Sequence, residues 1–175
     1  MIPRVARYRI LPDRSRVWIE ARSNVHPIHS STEGLEGYID IDLDGDGRLA
    51  GDAKPEARLS LAVSRLQSGN RLEDRELQKR IDARRYPTIV GTLDQMVSSG
   101  IDGSYVVSGE ITFRGVARPH EDRMTLESLD EGRIQLAGSS RFDIRDFGME
   151  PPRVLMLRVE PEVDVRVEIV AEKEG

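Results

Sequence analysis

Apolar and polar residues alternate with a period of two along most of this 175-residue chain. The alternation runs longest near the end, where apolar residues take odd positions from 155 to 169 and Pro161 shares their phase as a bend or an edge. This period is typical of a β-strand with one buried face and one face in water. Seven further segments show strand patterns and are separated by turn signals: 16–22, 38–43, 58–63, 89–93, 105–113, 124–129 and 134–142.

One segment, around residues 70–84, has the features of a helix instead. Asn70 is a good N-cap, and Glu73 stands three residues later, where its carboxylate can reach back to a free backbone N–H. Leu77 and Ile81 fall one turn apart on one face, which makes a narrow apolar stripe. We therefore expect a helical insertion that covers a larger structure and does not form its core.

Eight strands joined mostly by short turns, with one helical insertion, favour an all-β fold. An eight-stranded antiparallel up-and-down barrel is the predicted architecture, and a sandwich is the alternative. The alternation indicates an apolar interior and a charged exterior. A barrel of about eight strands can either be filled by its own side chains or hold one small ligand, so the sequence leaves both interiors open.

Size and composition restrict the class of protein. The chain is most economically one domain over residues 1–175, and the absence of cysteine excludes disulfides, thiolate metal ligands and cysteine nucleophiles. No apolar run approaches the ~20 residues of a membrane-spanning helix, and residues 1–10 lack the apolar stretch of a secretory signal. We expect the chain as given to be soluble and cytoplasmic. A net charge of −5 and few aromatic residues argue against nucleic-acid binding.

Residues 42–49, Asp-Leu-Asp-Gly-Asp-Gly-Arg-Leu, match the first half of an EF-hand calcium loop. Acidic residues stand at alternate positions, and a glycine stands at the sixth. The twelfth position is Ala53, so the bidentate glutamate of that loop is missing. We interpret the segment as an Asp/Gly-rich hairpin turn, with a weak calcium site as the alternative.

Other candidate sites for metal binding or catalysis are incomplete. His26 and His29 stand at i,i+3, but Pro27 prevents a regular helix between them, and His120 is far away in sequence. A metal site needs three or four ligands in a defined geometry, so we expect no metal and no cofactor. No nucleophile stands beside a base in a known motif, and no glycine-rich phosphate loop is present. We therefore expect a protein that is not an enzyme and has no catalytic residue.

The segment 109–119, GEITFRGVARP, resembles the strand and turn G-x-L-T-(apolar)-R-G-V-T-R-P of YceI-like, polyisoprenoid-binding proteins. Further positions agree with that family in the same order, so that the resemblance spans nearly the whole chain. They are Asp13 and Ser15 as its D-x-H-S opening, Ser68-Gly69 before its helical insertion, Tyr86-Pro87-Thr88-Ile89 as its Y-P-x-I, and Phe147-Gly148, preceded by Asp146, as its D-F-G-(apolar) motif.

The resemblance implies a lipocalin-like barrel that encloses an extended apolar chain such as an isoprenoid. Two departures from the family bear on the pocket. Gly91 stands where members commonly have an aromatic residue, and the Phe-Phe pair of the family's helix is missing around Ile81-Asp82-Ala83. Because of these two differences, we expect a pocket whose shape differs from that of its relatives. Many members also carry a signal peptide, and residues 1–10 lack the apolar stretch of one.

We expect the protein to bind, store or carry a lipid-like small molecule inside the barrel, with apolar burial supplying most of the affinity. The alternative is a ligand-free barrel that acts as a partner-binding or assembly module, and the sequence leaves a homodimer open. For an anionic head group, such as that of a prenyl phosphate, the predicted clamps are Arg71, Arg75, Arg114 and Arg118. The predicted interior residues are Ile89, Gly91, Ile111, Phe113, Leu136, Phe142, Leu155 and Leu157.

Overall fold

β-Strands make up most of the chain, as the alternation predicts. A computed structural model of the protein describes residues 4–50, 54–130 and 132–175. These ranges contain one α-helix, α1 (Arg71–Ile81), and two short 3-10 helices (Val63–Arg65 and Ile144–Phe147). The strands are β1 (Ala6–Ile10), β2 (Arg16–Ser23), β3 (Ile28–Thr32), β4 (Glu36–Ile41), β5 (Glu56–Ala62), β6 (Thr88–Ser98), β7 (Ser104–Phe113), β8 (Val116–Asp130), β9 (Arg133–Asp143), β10 (Arg153–Val154) and β11 (Leu157–Lys173).

Eight of these strands form a closed antiparallel barrel in the order β1-β4-β5-β6-β7-β8-β9-β11, which confirms the predicted fold class. The pairing of β1 with β11 closes the barrel and places Tyr8 opposite Lys173. β2 and β3 extend the wall, because β2 pairs with residues 159–168 of β11 and β3 pairs with β2. Ser15 lies at the bend between β1 and β2, where its buried hydroxyl accepts a hydrogen bond from the Val170 N–H (3.0 Å).

Several strands differ from the sequence-based prediction. β1 and β3, of five residues each, are not among the predicted segments. β8 begins at Val116, well before the predicted start at residue 124, because polar residues take inward positions in its first half and hide the alternation. β11 begins at Leu157 and not at residue 155, and the short strand β10 precedes it.

Helix α1 covers one end of the barrel. The Asn70 side chain caps it by accepting hydrogen bonds from two backbone N–H groups of the first turn. Glu73 does not reach back to a free N–H as predicted, because its carboxylate accepts a hydrogen bond from the Ser68 hydroxyl (3.1 Å). The helix ends short of residue 84, since Asp82 adopts the left-handed conformation (φ 60°). Ile81 is fully buried and joins the helix to the barrel core.

The opposite end of the barrel is covered by the segment 42–50. The Leu49 N–H donates a hydrogen bond to the hydroxyl of the buried Tyr105 (3.0 Å). The Asp44 carboxylate accepts hydrogen bonds from two backbone N–H groups of the segment. This geometry confirms the interpretation of residues 42–49 as a hairpin turn, whereas Ala53 lies outside the described residues.

Two glycines of the segment 109–119 are required because other groups approach them closely. A Cβ at Gly109 would lie 1.8 Å from the Thr92 carbonyl oxygen, next to a bulge in β6. A Cβ at Gly115 would lie 2.6 Å from the Tyr86 ring, and Gly115 also has a φ of +74° in the turn between β7 and β8. These two positions of the motif therefore contain glycine where no larger residue fits.

Candidate functional site

The barrel encloses a cavity of about 360 Å³. Side chains from β2, from β4 to β9 and from β11 line it, and nearly all of them are apolar. Small-molecule pockets in proteins typically measure about 300–1,000 Å³ and are likewise mostly apolar. The side chains of the barrel therefore do not fill its interior completely. Of the two interiors that the sequence left open, the structure has the one with space for a small ligand.

Six of the eight predicted interior residues line this cavity. They lie on β6, β7 and β9, where every second residue faces inward, as the period of two predicts. Gly91 leaves space at its position, because a Cβ there would meet only Leu59, at 3.7 Å. The six residues are Ile89, Gly91, Ile111, Phe113, Leu136 and Phe142.

The prediction that Leu155 and Leu157 face the barrel interior is wrong. Leu155 is 93% exposed and has a φ of 54°, because it stands in the tight turn between β10 and β11. Leu157 has the inward phase but pairs with Val154 of β10, beyond the cavity. The alternation continues past the end of the barrel wall, and the phase alone does not show where the wall ends. β11 lines the cavity further along, through Val163, Val165, Val167 and Ile169.

None of the four arginines predicted to clamp an anionic head group lines the cavity. Arg71 and Arg75 are exposed at the start of α1. Arg114 and Arg118 donate hydrogen bonds to backbone carbonyls of the segment 146–148 instead. Two of these guanidinium groups thus hold together the end of the barrel that α1 covers.

Arg114 and aromatic packing hold the end of the barrel that α1 covers. The Arg114 guanidinium donates to the Arg80 carbonyl of α1 (3.1 Å) and to the Gly148 carbonyl (2.6 Å). The rings of Phe113 and Phe147 meet edge to face, with centroids 5.6 Å apart. The turn between β7 and β8 therefore connects the helix with the segment that contains the Asp-Phe-Gly motif.

A polar cluster, formed by His120 and Asp122 of β8 and Ser140 of β9, stands in the otherwise apolar lining. The Ser140 hydroxyl lies 3.0 Å from His120 Nε2. The imidazole stacks on the Phe142 ring, with centroids 4.6 Å apart. Asp122 Oδ1 accepts a hydrogen bond from the Arg123 N–H (2.7 Å).

The apolar surroundings of the polar cluster favour the neutral forms of its titratable groups. Burial lowers the pKa of the His120 imidazole, and the nearby Asp122 offsets part of that change. Burial raises the pKa of the Asp122 carboxyl, and the Arg123 N–H, the imidazole and the Ser140 hydroxyl offset part of the rise. Polar groups in an apolar wall cost free energy unless they are paired, so this cluster needs either a structural or a binding explanation.

The sequence pattern did not reveal the polar cluster, because residues 116–123 show no apolar alternation. A signal is nevertheless present in the chain. Met124 and Leu126 face inward on β8, and counting back from them in steps of two reaches Asp122 and His120. Polar residues at inward positions of a barrel strand could thus have marked the site.

The contact between Ser140 and His120 is of the kind that a nucleophile makes with a general base. Such a pair works when a third group orients the base. Within the described ranges, no hydrogen bond or ion pair joins Asp122 to the imidazole. The Ser140 hydroxyl and the imidazole are thus positioned for hydrogen bonding at the cavity wall.

His26 and His29, which lie outside the cavity, each stand near one glutamate. His26 lies 3.5 Å from Glu73, whereas His29 lies 3.7 Å from Glu20. In the part of the chain that the structure describes, no group of three or more His, Cys, Asp or Glu residues is placed to hold a metal ion. Among the helices of that part, none has the length and apolar character that crossing a membrane requires.

A family model and several solved structures are similar to this chain and its barrel. The family model described as YceI-like domain matches residues 8–171, and no curated protein matches the chain. BcnA of Burkholderia cenocepacia is 16% identical, with 93% of this chain and 99% of that chain covered and a TM-score of 0.76. A polyisoprenoid binding domain from Saccharophagus degradans, implicated in plant cell wall breakdown, is 14% identical, with 95% and 98% covered and a TM-score of 0.74. A YceI protein from Campylobacter jejuni is 13% identical, with 88% and 85% covered and a TM-score of 0.65.

Proposed function

The chain belongs to the YceI-like domain family, and on this basis we propose that its barrel binds one elongated apolar molecule, such as an isoprenoid or another lipid-like chain, for storage or carriage. The observation that carries the proposal is the cavity of about 360 Å³ with its nearly apolar lining. Burial of apolar surface is non-directional and contributes about 25 cal/mol per Å². Such a lining can retain a chain with few polar contacts. The similar domain from Saccharophagus degradans is described as polyisoprenoid-binding.

The proposal includes binding without chemical conversion of the ligand. It is supported by the contacts of His120, because among the described residues no hydrogen bond or ion pair from Asp122 orients the imidazole as a base. Hydrolysis of p-nitrophenyl palmitate by the wild type and by Ser140→Ala tests this point. We expect no turnover above background in either protein. Turnover that is present in the wild type and lost in Ser140→Ala would show that the barrel is an enzyme.

Organic extraction of the purified full chain, followed by mass spectrometry, tests the binding function. We expect a chain-like lipid in the extract, in an amount that approaches one molecule per protein. An unrelated β-protein purified in the same way gives the background. The variant Gly91→Phe, whose ring would occupy part of the cavity, should retain less of the lipid than the wild type.

A clean extract, together with no binding of added isoprenoid or acyl chains, would contradict the proposed function. The alternative would then be a ligand-free barrel that acts as a partner-binding or assembly module. Light scattering on the same preparation measures whether the chain forms a homodimer.

A further inference from the structure

The wall of the barrel splits between β8 and β9. The backbone ladder that joins these strands ends with Met124 opposite Gly138. Past this point β8 remains paired with β7 as far as Val116, and β9 remains paired with β11 as far as Asp143. No further backbone pair joins β8 to β9 in the described ranges, so side chains fill the space between them.

The polar cluster lies at this split. His120 and Asp122 follow the end of the ladder on β8, Ser140 faces them from β9, and all three line the cavity. The contact of Ser140 with His120 bridges the two strands where their backbones no longer pair. Arg118, which is exposed two residues before His120 on β8, bridges the split further along by donating to the Asp146 carbonyl (2.8 Å).

Gly138 makes room for the carboxylate of Asp122. A Cβ at this position would lie 3.3 Å from Asp122 Oδ2 and 3.0 Å from Met124 Cγ, which is tight for both neighbours. The missing side chain therefore leaves the carboxylate its place at the cavity wall. Asp122 Oδ1 accepts a hydrogen bond from the Arg123 N–H, and the Ser140 hydroxyl also interacts with this carboxylate. An ionised carboxylate offers about four acceptor positions, so acceptor capacity remains for a ligand.

The charged groups around the cavity favour a ligand that donates hydrogen bonds. Among the described residues that line it there is no lysine or arginine, and the acidic ones are Asp122 and Glu110, whose side chain is exposed. A carboxylate or phosphate beside Asp122 would bring two like charges together without a basic partner in the lining. A pure hydrocarbon would leave the acceptor capacity of Asp122 unused in an apolar site.

We propose that the split between β8 and β9 is the polar-group site of the cavity. The ligand is an elongated apolar chain that carries a hydrogen-bond donor, a hydroxyl or a protonated amine, and this donor lies among His120, Asp122 and Ser140. The apolar part of the ligand occupies the cavity described above. This inference rests on the proposed function, because it assigns the polar group of the same ligand.

The test compares molecules with the same C16 chain and different head groups. Hexadecylamine, hexadecanol and palmitate each displace Nile red, a neutral fluorescent probe, from the full chain at neutral pH. A hydrogen bond to a charged group is about twice as strong as a neutral one. We therefore expect hexadecylamine to bind about tenfold more tightly than palmitate, with hexadecanol between them.

Two variants separate the site from the overall negative charge of the protein. Asp122→Asn is nearly isosteric, and it should reduce the preference for the amine over palmitate by about tenfold. Asp94→Asn removes the same charge at an exposed position of β6 and should leave the preference unchanged. Addition of hexadecylamine should also shift the ring ¹⁵N resonances of His120 but not those of His26 and His29.

Each outcome addresses one of the two proposals. Equal affinities for the three head groups, or a preference that persists in Asp122→Asn, would overturn the polar-group site and leave the apolar cavity as the binding site. If Asp122→Asn does not fold, the wild-type affinities and the His120 resonances decide the matter. Failure of all three chains to displace Nile red would contradict the proposed function itself.

Discussion

Gly91 controls how much of the cavity is free for a ligand, because it faces inward without a side chain. We expect Gly91→Phe to keep the barrel folded and to shorten the longest chain that it binds, since the ring would occupy ligand volume. Dissociation constants for prenyl or acyl chains of increasing length measure this effect.

Gly91→Ala is the matched control at this position. Its Cβ would make ordinary contact with Leu59 at 3.7 Å, so the length profile should not change and stability should rise by about 0.5–1 kcal/mol. An unchanged length profile in Gly91→Phe with an intact fold would remove this residue from the binding site. Unfolding of that variant would mean instead that the position is already packed.

His120 should make the stability of the fold depend on pH. Burial lowers its pKa from the ordinary 6.5, so below that pH the unfolded chain binds the proton more readily and the folded state loses stability. The facing Asp122 acts in the opposite sense, because its raised pKa makes the folded state bind a proton more readily. We expect His120→Gln to remove part of the fall in melting temperature between pH 7.5 and pH 5.

His29→Gln serves as the control for the pH experiment. Its imidazole is exposed, and the variant should show the same fall in melting temperature as the wild type. An identical fall in His120→Gln would mean that His120 does not titrate differently in the folded and unfolded states.

At the scale of the elements, Arg114 connects helix α1 with the turn that follows β7. Arg114→Met removes charge-assisted hydrogen bonds to the Arg80 and Gly148 carbonyls and should lower the free energy of unfolding by about 1.5 kcal/mol or somewhat more. Urea denaturation measures the change. Arg71→Met, at an exposed position of the same helix, should stay within about ±0.5 kcal/mol. Equal effects of the two substitutions would contradict the role of Arg114 in holding the helix.

Substitution by aspartate should affect stability differently in the turn before β11 and within this strand. Leu155→Asp, in the exposed turn before this strand, should change stability by no more than about 0.5 kcal/mol. Val165→Asp places an unpaired carboxylate at the cavity wall and should cost about 3 kcal/mol or more. Thermal and urea unfolding compare the two variants. A larger loss from Leu155→Asp would mean that the inward and outward faces are assigned incorrectly.

At the scale of the whole molecule, closure of the barrel depends on the bend between β1 and β2. Ser15→Ala leaves the buried Val170 N–H without the hydroxyl that accepts its hydrogen bond, which should cost about 1–3 kcal/mol. Amides of β1 and of the end of β11 should exchange faster with deuterium. Ser31→Ala, at an exposed position of β3, should leave both stability and exchange unchanged. Slow exchange in Ser15→Ala would show that closure does not need this contact.

The sequence by itself determined that the strands have one buried and one exposed face, where the helix begins, and to which family the chain belongs. A period of two depends only on which side of each strand is buried, so it can be read locally, as at Ile111 and Phe113. The helix start at Asn70 could be predicted for the same reason, because capping involves only neighbouring residues. The motif 109–119 requires glycine at positions where the backbone is crowded.

Only the tertiary structure decided where the barrel wall ends and where it opens. Leu155 keeps the inward phase of β11, yet it stands in the turn that precedes this strand, outside the barrel wall. His120 and Asp122 come together with Ser140 only because β8 and β9 stop pairing at Met124 and Gly138. Pairing between strands joins residues that are distant in the chain, and a local period shows neither the neighbours of a strand nor the length of its ladder.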